Sequence, residues 1–180
     1  MKPDRIFSYK YNGIIKVSAI FLFLLSSLNL MSQTQTNFSG KWEFDKAASD
    51  KDKTGDASFN GTIILEIKQS SSTITFTSTY FIPGKAGIAM QPDSYFLDGK
   101  VTTDNSGTGP AKKSAKWSQD NKSLTTSLIM TDSIDGVAQE FLTANTYKLS
   151  DDKKTLYIEE LNKSKLNGEI KVKKVYKKKA

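Results

Sequence analysis

The sequence predicts an all-β protein, an antiparallel up-and-down barrel of about eight to ten strands. From Asn37 onward, apolar residues recur at every second position within short segments rich in Thr, Ile, Val, Tyr and Phe. That is the period of a half-buried strand. Short turn sequences separate the segments, so consecutive strands pair antiparallel; parallel pairing needs crossovers of a dozen or more residues, and no helical crossover is visible. A sheet of that many strands buries its apolar face by closing into a barrel or folding into a sandwich, and the succession of hairpins favours the barrel.

The elements follow in chain order. Phe38–Asp45 reads as the first strand, and a polar stretch from Lys46 to Asn60, with room for a short helical turn, separates it from the second. Thr62–Gln69, with Ile63, Leu65 and Ile67 on one face, turns through Ser70-Ser71-Ser72 into Thr73–Tyr80. Pro83-Gly84 and Gly87 break the next stretch. Ser94–Leu97 and Lys100–Thr103 flank Asp98-Gly99, a pair suited to a tight hairpin turn. A loop from Asn105 to Pro110 leads to Ala111–Trp117, which forms a hairpin with Ser123–Met130. Asp135-Gly136 introduces Val137–Leu149; Asp151–Lys154 leads to Thr155–Leu161; and Asn167-Gly168 begins a last strand, Glu169–Lys177.

Residues 1–32 have a different character. Lys2, Arg5, Lys10 and Lys16 precede an apolar run from Val17 to Met31 that includes Ser and Asn. This is the order of a secretory signal, and the run is short of the roughly 20 apolar residues that span a bilayer. The expected product is one domain, 33–180, exported to a bacterial periplasm or secreted, monomeric, and without a stable membrane span. Removal of the leader takes four basic residues and one acidic one, lowering the net charge from +7 to +4. Six lysines crowd the last ten residues: Lys171, Lys173, Lys174, Lys177, Lys178 and Lys179. On a terminal strand they are expected to be solvated and to deter edge-to-edge pairing rather than to bind nucleic acid.

Gly40-Lys41-Trp42 lies in the first strand, and a strand, Asp-containing turn, strand pattern repeats at Trp117–Leu124 and Tyr147–Leu156. The first motif resembles the G-x-W signature of lipocalins and related calycin barrels, and the whole resembles small exported bacterial lipocalin-like proteins. The resemblance implies that Gly40 and Trp42 are structural, with Trp42 packed across a closed barrel end beneath a basic side chain. With no Arg after residue 33, that partner is expected to be Lys173 or Lys174. An eight-stranded lumen is wide enough for core side chains or for one small ligand. Candidate ligand-binding residues are Phe76, Tyr80, Tyr95, Phe96, Leu128, Met130, Phe141 and Tyr147.

The chain contains no His and no Cys. Ser-His and Cys-His nucleophile pairs, His-ligated catalytic zinc, thiolate metal sites and disulfides are therefore all excluded. Glu159 and Glu160 are adjacent on a strand and face opposite ways, so they do not form a catalytic carboxylate pair. Asp50-Lys51-Asp52-Lys53-Thr54-Gly55 matches the opening of a calcium loop, but its twelfth position is Gly61 rather than a bidentate Glu. No enzyme, metal or cofactor is expected. Two readings remain: a carrier holding a small hydrophobic or amphipathic ligand in the barrel, or an envelope or surface interaction protein with a solid barrel whose partners dock on loops such as Phe81–Pro92 or on the lysine-rich last strand.

Overall fold

The structure, a computed structural model, describes residues 34–51, 56, 58–105, 110–134 and 136–180. The expected leader and positions 52–55 of the calcium-like sequence lie outside the described residues. Among the described residues the alternating segments form eleven strands, all in the unit Gln35–Ala180. They are β1 (Gly40–Phe44), β2 (Thr62–Gln69), β3 (Thr73–Phe81), β4 (Ile88–Ala89), β5 (Asp93–Phe96) and β6 (Thr102–Asp104), followed by β7 (Ala111–Trp117), β8 (Ser123–Ile134), β9 (Val137–Leu149), β10 (Thr155–Ser164) and β11 (Gly168–Lys178). The hydrogen-bonded order is β4-β3-β2-β1-β11-β10-β9-β8-β7-β6, with β5 also pairing β3, and every pairing is antiparallel.

The sheet is open, which corrects the expected barrel: the ladder ends at β4 and β5 on one side and at β6 on the other. The cause lies in the segment broken by Pro83, Gly84, Gly87 and Pro92. It supplies the free edge of β3 with two short pieces, Ile88–Ala89 opposite Thr79–Tyr80 and Asp93–Phe96 opposite Thr73–Phe76. Neither piece, nor the three residues of β6, offers a continuous edge for a ladder. The two sides meet instead through a side chain, Lys113 of β7, whose Nζ lies 2.7 Å from Asp93 of β5 and 2.7 Å from Asp104 of β6.

Two local expectations also change. Asp98-Gly99 does form a turn, with Gly99 at φ +76° and the Asp98 side chain accepting the Lys100 N–H at 3.0 Å. It joins no hairpin, because β5 pairs with β3 and β6 with β7. The lysine-rich last strand is not an edge. β11 lies between β1 and β10, so edge protection does not explain its lysines.

Gly40 has φ +142°, a conformation that side chains rarely adopt, and it lets the strand enter beside Trp42. Trp42 is fully buried and donates its indole N–H to the Phe38 carbonyl at 3.0 Å. The cation over its ring is Lys178, 5.6 Å from the centroid, rather than Lys173 or Lys174. The G-x-W spacing thus has a local explanation in backbone freedom and ring burial. Gly61 is required too, since a Cβ there would strike the Phe81 carbonyl and the Phe59 ring.

The repeated Asp-containing turns share one geometry. Ser118 donates to Asp120 at 2.6 Å, and Ser150 donates to Asp152 at 2.6 Å. Each Asp accepts a backbone N–H two residues on, from Lys122 or Lys154, and each Ser accepts the N–H that opens the next strand. The residue between is left-handed: Asn121 at φ 54° and Lys153 at φ 57°. Asn tolerates that region, whereas Lys carries a cost of about 1–2 kcal/mol. Lys153→Gly should therefore raise stability by about 0.5–1 kcal/mol in denaturant titration, after the entropy lost by glycine. Lys154→Gly, the next residue along, should not.

Candidate functional site

One face of the sheet carries the core, and it is organised along the strands in layers. At the end containing the Ser70–Ser72, Ser118–Lys122 and Ser150–Lys154 turns, Phe38, Trp42, Ile67, Ile74, Leu124 and Leu156 are shut off from water. Three of the expected ligand-binding residues belong to this core: Phe76 stacks on Tyr147 at 4.6 Å and meets Tyr95 edge-on at 6.1 Å. Burial pushes the hydroxyl pKa values of Tyr95, Tyr147 and Tyr176 above the ordinary tyrosine value. Phe96 follows Tyr95 on the strand, points away from the core and is exposed. Leu128 lies farther along the core-bearing face, and Met130 pairs with Phe141 beyond it. The eight residues therefore do not form one site. With the ladder open and these rings packed on one another, no closed barrel cavity is evident among the described residues, and the carrier and solid-barrel readings both fall with the barrel.

Next to the apolar core lies a layer of paired charges that sequence reasoning missed. Lys174 places its ammonium 2.7 Å from Asp56 and 2.7 Å from Glu160, with all three side chains at most 17% exposed. Tyr80 donates to the other Asp56 oxygen at 3.3 Å, and Asn162 donates to Glu160 at 2.7 Å while accepting from Thr143 at 2.8 Å. Burial works to lower the Lys174 pKa, but the two carboxylates overcome it and hold the pKa above lysine's ordinary value. Lys113, between Asp93 and Asp104, is raised in the same way. The signal lay in alternation: Lys174 shares a face with Tyr176 and Val172, both buried.

The opposite face is polar. Across β8–β11 it holds two hollows, of about 420 Å³ and 310 Å³, which share Thr146, Glu159 and Lys173 and so form one trough. Ala144 and Leu161 give it an apolar floor; Thr125 and Thr146, hydrogen-bonded to each other at 2.9 Å, line it with hydroxyls. Tyr157 and Lys148 flank one end, with the Lys173 ammonium 5.1 Å from the Tyr157 ring. Asp50 bounds the other end, anchored to β11 because its carboxylate accepts the Lys173 N–H at 2.8 Å. Part of the calcium-like sequence thus serves as a backbone tie. Glu159 is exposed on this face while Glu160 lies in the ion layer on the other. Among the described residues no group of three or more acidic side chains is placed to hold a metal.

No family model matches the chain, and no curated protein matches it. Two solved structures are similar in part. A secretory abundant heat soluble protein from Ramazzottius varieornatus is 14% identical, with 82% of this chain and 98% of that one covered and a TM-score of 0.46. A zebrafish ileal bile acid-binding protein complexed with cholic acid is 15% identical, with 79% and 98% covered and a TM-score of 0.38. The latter likeness is distant, and the open ladder lacks the closure that defines lipocalins and calycins, so the resemblance drawn from Gly40-Lys41-Trp42 is not upheld.

Two stability predictions follow from the core-bearing face. Lys174→Met should leave Asp56 and Glu160 facing each other without a cation and lower the unfolding free energy by about 3 kcal/mol. Adding Asp56→Asn and Glu160→Gln should recover much of that loss in the same denaturant titration. Stability should also fall as pH rises above about 10. The unfolded chain ionises its tyrosines and neutralises its lysines there, whereas the folded chain keeps Tyr95, Tyr147 and Tyr176 protonated and Lys113 and Lys174 charged; it binds more protons, and alkali favours unfolding. In an alkaline titration, tyrosinate absorbance from the three buried rings should appear together with the loss of circular dichroism, not before it.

Proposed function

We propose that this chain is an exported, non-catalytic binding protein that holds an acidic carbohydrate in the trough across β8–β11. The observation that carries the reading is the composition of that trough: paired threonine hydroxyls, an aromatic ring, the ammonium groups of Lys148, Lys171 and Lys173, and the carboxylates of Glu159 and, already engaged elsewhere, of Asp50 and Glu160, over a small apolar floor. Hydroxyl and carboxylate groups exchange hydrogen bonds with sugar hydroxyls, and a tyrosine ring offers a flat apolar surface to the C–H face of a sugar. Lys148 and Lys173 supply charge for an acidic substituent. A peptide adding as a further strand has no place here, because β9 and β10 are paired on both sides and β8 and β11 are as well. Hollows of this size lie within the range of about 300–1,000 Å³ that binds small ligands. The absence of His and Cys from the sequence removes the thiolate nucleophile and the imidazole base that most often activates a serine, which supports binding without chemistry.

Affinity electrophoresis through gels containing a soluble polyuronate or a neutral glucan tests the reading. The polyuronate should retard the protein more than the glucan. Lys173→Ala and Thr146→Val should each weaken retardation about tenfold without moving the thermal midpoint. Equal mobility in both gels and in a gel without polysaccharide would sink the proposal.

A further inference from the structure

Most of the large exposed apolar side chains stand together, and among the described residues Phe96 and Val101, toward the core end, are the exceptions. Phe81, Ile88, Met90, Ile134, Val137 and Leu166 all lie at the end of the strands opposite the aromatic core. The register fixes this. β2 pairs Thr62 with Phe81 beside the last residues of β1, β11 runs antiparallel to β1, and the β8–β9 and β10–β11 turns sit at the same end. Within this fringe the β8–β9 hairpin projects farthest. Its ladder runs on to Ile134↔Val137, whereas β7 stops opposite Met130 and β10 opposite Phe141. Among the described residues, four residues on each strand therefore extend past their neighbours, roughly 13 Å at the rise of a strand. The tip carries Val137, 58% exposed, and the adjacent β10–β11 turn carries Leu166, 59% exposed.

From this arrangement we infer that the fringe docks on the surface of an anionic lipid bilayer. The apolar groups stand on separate turns rather than lining a groove. A protein partner would need a complementary shape for each tip, whereas a bilayer takes up the projecting hairpin tip and lets the shorter turns meet its interfacial region. Charge favours the same occupant: Lys85, Lys112, Lys163 and Lys165 are exposed at this end, between and behind the apolar tips, where ammonium groups meet lipid phosphates. Asp132 and Glu140 on the projecting hairpin and Glu169 opposite Lys163 oppose this attraction, so the apolar tips must supply a substantial part of the binding. No helix among the described residues is long and apolar enough to cross a membrane, and attachment by strand turns needs none. The trough on β8–β11 lies elsewhere, on the face of the sheet, and docking does not require it.

Co-sedimentation with vesicles tests this, using the protein purified from the cells that make it. Pelleting is expected with vesicles of phosphatidylglycerol and phosphatidylethanolamine, at least fivefold more than with phosphatidylcholine alone, and reduced by added salt. Val137→Asp and Leu166→Asp, both at exposed turns, should together cut pelleting about tenfold with an unchanged thermal midpoint, and Lys163→Glu with Lys165→Glu should abolish the preference for anionic lipid. Failure to pellet with the anionic vesicles, or pelleting that survives the tip substitutions, would overturn the proposal. So would a concentration-dependent dimer, seen by sedimentation velocity without lipid and lost in the tip variants, which would make a second copy the occupant.

Discussion

A chain of aromatic rings supplies what the hydrogen-bonded ladder omits. Trp117 of β7 stacks on Phe38 at 5.9 Å; Phe38 meets Tyr147 of β9 at 6.3 Å; Tyr147 stacks on Phe76 of β3, and Phe76 meets Tyr95 of β5. The path runs from one side of the open strand order to the other. Each contact adds about 0.5–1.5 kcal/mol beyond the area it buries. Ring packing therefore holds the edges together at the core end, and the Lys113 bridge does so farther along. An open sheet of this kind needs no matched edge strands, which is why β4, β5 and β6 can be so short.

The ion layer depends on that packing. A buried ammonium is tolerated only with close anionic partners, since desolvating an isolated charge costs several kcal/mol. Lys174 meets the condition because alternation along β10 and β11 brings Glu160 to its side, while the β1–β2 connection brings Asp56. The same connection ties itself to β11 twice more: Ser49 accepts the Val175 N–H at 2.9 Å and Asp50 accepts the Lys173 N–H. A stretch that reads as a polar spacer thus fills a structural role across a central strand.

Much of the fold was legible because it is local. The β2–β3, β7–β8 and β9–β10 hairpins could be read from period two and from turn residues whose side chains satisfy their own backbone, as the Ser118 and Ser150 turns show. What could not be read were the pairings that join residues far apart in sequence. Nothing around Asp98-Gly99 reveals that Ser94–Phe96 will pair with Thr73–Thr75, nor does the end of the chain announce that β11 will lie between β1 and β10. The barrel expectation failed for the same reason: closure is a property of two edges meeting, and hairpin signals describe only neighbours. Phe76, Tyr95 and Tyr147, expected to line a lumen, lie in the buried aromatic core, and alternation alone does not distinguish a core from a cavity.

The lysines of β11 show how far one alternation can reach. Lys174 faces the core and is the cation between Asp56 and Glu160; Lys173, one residue earlier, faces the trough and covers Tyr157; Lys171 pairs with Glu169 at 2.9 Å; Lys178 lies over Trp42. A run that composition presents as a uniform basic tail is divided by the pleat into cations with separate partners on two faces. Net charge therefore says little about what this surface recognises. The partners of individual lysines decide it, and on the trough side those partners are a ring, a carboxylate and hydroxyls rather than a second layer of protein.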